Sequence, residues 1–266
     1  MSYQDILWSR PTRRTGRIVL AGGHRDGFAD LQKTYVGFDI AGAADCRLVL
    51  PDKLSKLVGS LEGVSLVPST PSGSIAKDAV AELVHLANEA DLISIGPDLS
   101  NNSETTLAMQ RVIAETNASI VIPPTSTEQL MSEVAEWRTK SKLMIFMNSK
   151  QLYKLAAKLA VNTTIPLNVT NEALLEIAAA VSNEYQPVII VITQDALIYS
   201  VNGRAQILKV KLQSDDYGAL TGVFGLFWLQ NQSTPFDALE AAAHIIDQTS
   251  SSQNLQAGIK EELGKL

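Results

Sequence analysis

The amino-acid sequence predicts a three-layer α/β/α fold with a mostly parallel central sheet and antiparallel strands near its last third. Apolar runs of four to six residues alternate with helical patterns up to about residue 161. Such runs are typical of parallel strands that helices cover on both faces. The Asn202-Gly203 pair between two later apolar runs predicts a type I′ hairpin, and therefore antiparallel strands.

Each strand is predicted from a short apolar run that is bounded by glycine, proline or polar residues. The first run ends in Gly22-Gly23, and the last two flank the Asn-Gly turn. In chain order the predicted strands are 17–23, 46–51, 64–70, 91–97, 119–124, 142–148, 187–193, 196–201 and 205–212.

The segments between these runs carry apolar residues at three- and four-residue spacing, which predicts helices. The predicted helices are 26–44, 52–61, 74–90, 103–117, 126–141, 149–161 and 171–185, with three more starting at Asp216, Phe236 and Asn254. Ser74 is the expected N-cap of the third, because a serine side chain accepts hydrogen bonds from free N–H groups. No linker is evident in the 266 residues, so we expect a single domain over 1–266, with an N-terminal arm at 1–15 and a C-terminal helix within 250–266.

Composition and charge exclude several classes of function. The net charge of −6 argues against a nucleic-acid partner, because phosphate binding needs a basic face. Cys46 lies in an apolar run, where we expect an inert thiol, and it has no metal-ligand spacing to His24, His85 or His244, so no metal site is predicted. The sequence has no run of 18 apolar residues, the length that could cross a membrane, and its N-terminus lacks the apolar core of a signal peptide. We therefore expect a cytoplasmic protein.

Polar loops follow five of the predicted strands, at the edge where open α/β sheets bind ligands. Glycine, asparagine, serine and threonine concentrate in 22–27, 68–74, 96–103, 123–128 and 147–150. Turns and N-caps select the same residues, so any one of these loops has a purely structural interpretation. Their presence on one edge predicts a pocket there.

Three segments resemble the ribokinase-like superfamily, and within it the NAD(P)H-hydrate dehydratases, which use ADP or ATP to repair hydrated nicotinamide cofactors. Residues 16–54 resemble that family's opening strand, glycine turn and small-residue helix. Residues 90–106 are similar to its A-D-x-x-x-x-G-P-G-L-G segment, and 215–244 to its G-T-G-D-V-L-A-G helix and the alanine-rich helix after it. The resemblance covers about 15–248 and implies a ribokinase-like fold, ADP or ATP as a ligand, and a homo-oligomer.

Carried over position by position, the resemblance implies ligand-binding residues on several strand-end loops and on the helix near 218. They are Gly96, Asp98, Asn101, Asn148, Thr193, Gly218, Thr221 and Gly222. The family's chemical groups are missing, however. Its second and third G-P-G-L-G glycines correspond to Asp98 and Ser100, its D-A-D segment falls near Thr125 and Ser126, its T-P-H-x-x-E segment falls near 146–153 without His or Glu, and its L-K-G lysine corresponds to Thr193.

The segment before the last apolar helix has two interpretations. Aligning Gly222 with the last glycine of the family's G-x-G-D-x-x-x-G puts Gly218 at the catalytic aspartate, and Asp215 and Tyr217 at glycines. Asp215 or Asp216 then either caps the helix or, in the case of Asp216, serves as a relocated catalytic base.

Two hypotheses about function follow. The chain is a divergent nucleotide-dependent dehydratase or small-molecule kinase with reduced or lost activity, or a non-catalytic homologue that acts as a binding or assembly partner. The segment 222–230 is more apolar than a one-sided surface helix needs, which predicts a homo-oligomer. Arg10, Arg13, Arg14 and Arg17 form a basic arm, either solvated or in contact across a subunit interface.

Overall fold

The central sheet contains all nine strands found among the described residues. The computed structural model describes residues 2–11, 13–134, 137, 140–161, 170–250 and 254–266. The strand order is β3-β2-β1-β4-β5-β6-β7-β8-β9. The strands are β1 Arg17–Ala21, β2 Asp45–Pro51, β3 Val64–Val67, β4 Leu92–Ile95, β5 Ser119–Ile122, β6 Leu143–Asn148, β7 Val188–Ile192, β8 Ala196–Val201 and β9 Arg204–Lys209.

Strands β1 to β7 are parallel, and β8 and β9 add to the β7 edge in antiparallel register. Asn202 and Gly203 join β8 to β9 with φ angles of 52° and 78°. Both angles are positive, as a type I′ turn requires. The predicted sheet and its hairpin are therefore confirmed.

Helices cover both faces of the sheet. They are α1 Tyr3–Trp8, α2 Ala29–Ala41, α3 Ser55–Val58, α4 Val80–Glu89, α5 Ser103–Glu115, α6 Pro124–Leu130, α7 Ser149–Lys158, α8 Asn171–Tyr185, α9 Tyr217–Gln230, α10 Pro235–Thr249 and α11 Leu255–Lys265. One apolar cluster joins the sheet to α1, α2, α3, α9, α10 and α11. A second joins the opposite face to α4 through α8. The three-layer prediction is confirmed.

Three local predictions differ from the structure. The helix predicted from Ser74 begins with a 3₁₀ turn at Lys77, because Ser74 is tied into the preceding loop by hydrogen bonds with Thr70. The helix predicted over 52–61 is a 3₁₀ turn followed by the four residues of α3. The helix predicted over 126–141 is replaced by α6 and a 3₁₀ turn at 131–133, and part of its remainder lies outside the described residues.

The N-terminal arm contains a packed helix rather than only solvated chain. Ile6 and Leu7 of α1 are buried in the core on the side of α10. Ser2 and Asp5 form a reciprocal capping box at its start, which explains why so short a helix begins there.

Candidate functional site

The carboxyl ends of the parallel strands meet the first turns of α2 and α9 at one edge of the sheet. Gly96, Pro123 and Thr193 follow β4, β5 and β7, and Asn148 is the last residue of β6. These four strands are neighbours in the sheet. We call this the carboxyl edge. It is where an open α/β sheet ordinarily binds its ligand.

Asp98 closes the first turn of α2. Its Oδ2 accepts hydrogen bonds from the N–H groups of Asp30 at 2.8 Å and Leu31 at 3.1 Å. The N-cap residue Phe28 offers no side-chain acceptor, so the carboxylate of Asp98, 68 positions after Asp30, takes that role. The backbone of Asp98 has φ of 61°, a conformation that aspartate tolerates better than most residues. The anion-attracting end of α2 therefore already holds an anion.

Gly96 is required by its close approach to α6. Its φ is 110°, and a Cβ at this position would lie 2.5 Å from Oγ of Ser126. The hydroxyl of Ser126 is buried and has no hydrogen-bond partner among the described residues. The glycine that the family uses for ligand approach is here in contact with protein.

Asp216 and Asp215 bind groups other than the N–H groups of α9. Asp216 accepts a hydrogen bond from the N–H of Gln213 at 2.8 Å, as one half of a capping box on the 3₁₀ turn before α9. Asp215 forms an ion pair with Nζ of Lys33 at 2.7 Å. The expected cap on α9 is not formed, because Asp216 lies at the N-cap position of that helix without a side-chain hydrogen bond to it, and its carboxylate is instead used by the preceding 3₁₀ turn.

Lys33 links this turn to α2, and sequence reasoning missed it. Besides Asp215, its ammonium contacts the Asp30 carboxylate at 3.3 Å. The hydrogen bond that its ammonium donates to Asp215 is the main reason that the pKa of Lys33 is raised, although desolvation opposes it. The only sequence signal was its position one helical turn before Gly37, on the α2 face that meets α9.

Gly218 and Gly222 bring α9 against the backbone of α2. A Cβ at Gly218 would lie 2.5 Å from the carbonyl carbon of Lys33, and one at Gly222 would overlap the backbone of Gly37 and Phe38. The hydroxyl of Thr221 donates to the Tyr217 carbonyl within the same helix, at 2.7 Å. These three predicted site residues lie together, in a helix-helix contact.

Little space remains between the first turns of α2 and α9. The cavity there measures about 10 Å³, which is near the lower limit for one water molecule. It is lined by Asp30, Lys33, Thr34, Pro123, Pro124, Thr125, Ser214, Tyr217, Gly218 and Thr221. Gly218, the position aligned with the family's catalytic aspartate, packs against the Lys33 backbone.

The remaining predicted site residues serve local structure or face solvent. Asn148 caps α7 through a reciprocal pair of hydrogen bonds with Gln151. The hydroxyl of Thr193 accepts from the N–H of Ala196 at 3.0 Å and shapes the turn between β7 and β8. Asn101 is exposed beside the start of α5, at a separate surface cavity. The structure therefore does not gather these three around Gly218.

A larger groove of about 500 Å³ lies on the outer side of the 3₁₀ turn. Lys33, Lys211, Asp215 and Asp216 line it, so its two cations face two carboxylates. Within the part of the chain that the structure describes, no three His, Cys, Asp or Glu residues are grouped as a metal site would need. The described helices include none that is both long and apolar enough to cross a membrane.

Solved structures with the same architecture show the fold. A ribokinase-like superfamily protein from Enterococcus faecalis V583 superposes with a TM-score of 0.70 at 14% identity, over 100% of this chain and 95% of that one. Bacillus subtilis YxkO, a member of the UPF0031 family, gives 0.66 at 14% identity, over 99% and 97%. This chain has a ribokinase-like fold, as the resemblance implied.

The structural comparison also reaches a dehydratase. The ADP/ATP-dependent NAD(P)H-hydrate dehydratase from Bacillus subtilis, co-crystallised with ATP and Mg²⁺, gives a TM-score of 0.64 at 13% identity, over 99% of this chain and 97% of that one. No protein-family model matches the sequence, and no curated protein matches it. At these identities the likeness is one of fold.

Proposed function

We propose that this chain is a non-catalytic ribokinase-like protein that acts as a binding or assembly partner, and that it has lost nucleotide-dependent dehydratase and kinase chemistry. The observation that carries the proposal is the cavity of about 10 Å³ where the first turns of α2 and α9 meet. A nucleotide or a hydrated nicotinamide needs a cavity larger by more than an order of magnitude. A single-domain homo-oligomer in the cytoplasm belongs to the same proposal.

Charge supports the same conclusion. The N–H groups that would attract a phosphate at α2 already bind the Asp98 carboxylate. Asp215 neutralises Lys33, the cation that lines the closed cavity. An incoming anion would have to displace a carboxylate bound within the protein and would meet two more at Asp215 and Asp216. Like charges at contact distance oppose binding by about 1 kcal/mol each in water, and by more where water is excluded.

The direct test measures ADP and ATP binding by calorimetry and turnover of hydrated NADH with either nucleotide. We expect no turnover, and no nucleotide binding at the carboxyl edge. Asp216→Asn should leave stability nearly unchanged, because asparagine accepts a capping hydrogen bond about as well as aspartate. Turnover by wild type that falls about 10²-fold in Asp216→Asn would instead establish a relocated base and contradict the proposal.

Rebuilding the family's motif should not restore activity. Gly218→Asp with Asp215→Gly and Tyr217→Gly recreates the G-x-G-D pattern. An aspartate at 218 would have its Cβ within contact of the Lys33 backbone, where no flexible side chain can yield. We therefore expect the triple variant to be destabilised and inactive, whereas recovered turnover would show that α2 and α9 can separate.

A second candidate is a nucleotide-binding protein that has moved its site outward. The groove of about 500 Å³ beside Asp215 and Asp216 favours it, because Lys33 and Lys211 also face that groove. Binding of ATP that weakens in Lys211→Gln and not in Lys56→Gln would select this candidate over the first.

A further inference from the structure

We propose that the opposite edge of the molecule carries an anion site for a small molecule with a phosphate group. The site is a cavity of about 400 Å³ between the N-terminal arm, the carboxyl end of α2 and helix α11. We call it the basic basin. The side chains that define it are Arg10, Arg13, Arg14, Asp39, Gln230 and Lys260.

Positive charge dominates the basic basin although the whole chain has a net charge of −6. Four cationic side chains and one carboxylate side chain, Asp39, line it. A cavity of one sign in a protein of the opposite sign concentrates anions locally.

Two of the cations are used by the fold. The guanidinium of Arg10 donates to the carbonyls of Ala41 at 2.8 Å and Leu263 at 3.1 Å, at the carboxyl ends of α2 and α11. Arg14 pairs with Asp39 at 2.6 Å. Burial lowers the pKa of Arg10, and no carboxylate offsets its desolvation. These contacts hold the arm in place and build the wall of the basin.

The other two cations of the basic basin are Arg13 and Lys260. Arg13 and Lys260 are both exposed, and neither forms an ion pair within the part of the chain that the structure describes. Two unpaired positive charges match the nearly double negative charge of a phosphate monoester, and a diphosphate carries still more negative charge. A guanidinium can donate two parallel hydrogen bonds to such a group, and the ammonium supplies a point charge. The volume lies within the range of small-molecule sites.

The probe is inorganic pyrophosphate, titrated into the whole chain by calorimetry and by thermal unfolding at constant ionic strength. We expect saturable binding at one site with a Kd below about 1 mM. Arg13→Gln with Lys260→Gln should weaken it by at least about tenfold, since two charge-assisted contacts are lost. The matched control is Lys56→Gln with Lys142→Gln, which removes the same charge from exposed positions outside the basin and should change the Kd by less than about twofold.

Three results would overturn the proposal. They are no saturable pyrophosphate binding by wild type, equal weakening by the two variant pairs, and citrate binding as tight as pyrophosphate binding. The first shows an empty site, the second a diffuse charge effect, and the third a site without phosphate preference. ADP and ATP also carry phosphates, so nucleotide binding that disappears in the basin variant belongs to the basin. Nucleotide binding that this variant retains at full strength occurs outside the basic basin. It contradicts the proposed loss of nucleotide binding and leaves the basin proposal unaffected.

Discussion

Helix α2 has a long-range side-chain partner at each end. At its amino end the N–H groups of Asp30 and Leu31 donate to the carboxylate of Asp98; at its carboxyl end the carbonyl of Ala41 accepts from the guanidinium of Arg10. Each partner has the sign that complements the helix dipole. The two ends differ in what surrounds the partner.

At the amino end Lys33, the cation that lines the cavity, is paired with Asp30 and Asp215, and about 10 Å³ of space remains. At the carboxyl end Arg13 and Lys260 stay unpaired beside about 400 Å³. A side chain that complements a helix end therefore does not by itself make or remove a ligand site. Whether a ligand can bind there depends on unpaired charge and on the free volume next to it.

At the amino end of α2, the backbone of α9 packs directly against the backbone of α2. Disrupting this contact should have the largest effect on the free energy of unfolding. Gly222→Ala would place a methyl group into the backbone of Gly37 and Phe38. We expect a loss of about 3 kcal/mol or more in the free energy of unfolding, at the upper end for overpacking. Urea titration measures it, and Gly264→Ala is the control.

Gly264 lies in α11 with no heavy atom near the position of an added Cβ, so alanine there should be neutral or stabilising by up to about 1 kcal/mol. Equal effects of the two substitutions would show that α2 and α9 tolerate separation, which would weaken the argument for a closed site.

Asp98→Ala should have the next largest effect. It removes the acceptor for two N–H groups of α2 and puts alanine at a positive φ, which together cost about 2–3 kcal/mol. Asp98→Asn keeps an acceptor and tolerates the same φ, so its cost in urea titration should stay below about 1 kcal/mol. If asparagine were as destabilising as alanine, the negative charge rather than the hydrogen bonds would stabilise the helix end.

The strands, their mostly parallel arrangement and the hairpin follow from local pattern in this sequence, but the packing at the candidate site does not. Apolar runs and the Asn202-Gly203 turn depend on neighbouring residues, so the sheet could be predicted. The cap on α2 depends on a carboxylate from the β4 loop, and the Lys33–Asp215 ion pair joins residues 182 positions apart. Missing family residues indicated lost chemistry, whereas the packing that fills the space became visible only in three dimensions.

The same limit applies to α9 and to the arm. Eleven of the fourteen residues of α9 are buried within the chain, between α2, α10 and the sheet. The apolar sequence of α9 therefore has an intramolecular explanation. The homo-oligomer stays a prediction, and the apolar character of α9 no longer supports it. The arginines of the arm looked alike in sequence, but only Arg10 reaches two helix ends.

Arg10→Gln tests the carboxyl end of α2. The shorter amide side chain reaches at most one of the two carbonyls, so we expect a loss of about 1–2 kcal/mol in the free energy of unfolding. Arg13→Gln removes the same charge from the same arm, and should leave stability within about 0.5 kcal/mol. A destabilising Arg13→Gln would show that Arg13 is part of the fold rather than available to a ligand.

Lys33→Gln should have the smallest effect, because the ion pair with Asp215 is largely exposed and such pairs contribute about 0–1 kcal/mol. The pKa of Lys33 is raised above its ordinary value, chiefly by the hydrogen bond that its ammonium donates to Asp215. The folded state thus holds this proton more tightly than the unfolded state does. The stabilisation is fully present below the ordinary lysine pKa and is lost as pH rises through the higher folded value.

The difference in unfolding midpoint between wild type and Lys33→Gln should therefore be constant from about pH 7 to 9 and shrink near about pH 11. It should also shrink in about 1 M salt, which screens exposed pairs. A difference that persisted under both conditions would mean that Lys33 stabilises this end of α2 by packing against Gly218, and that the charge pair contributes nothing.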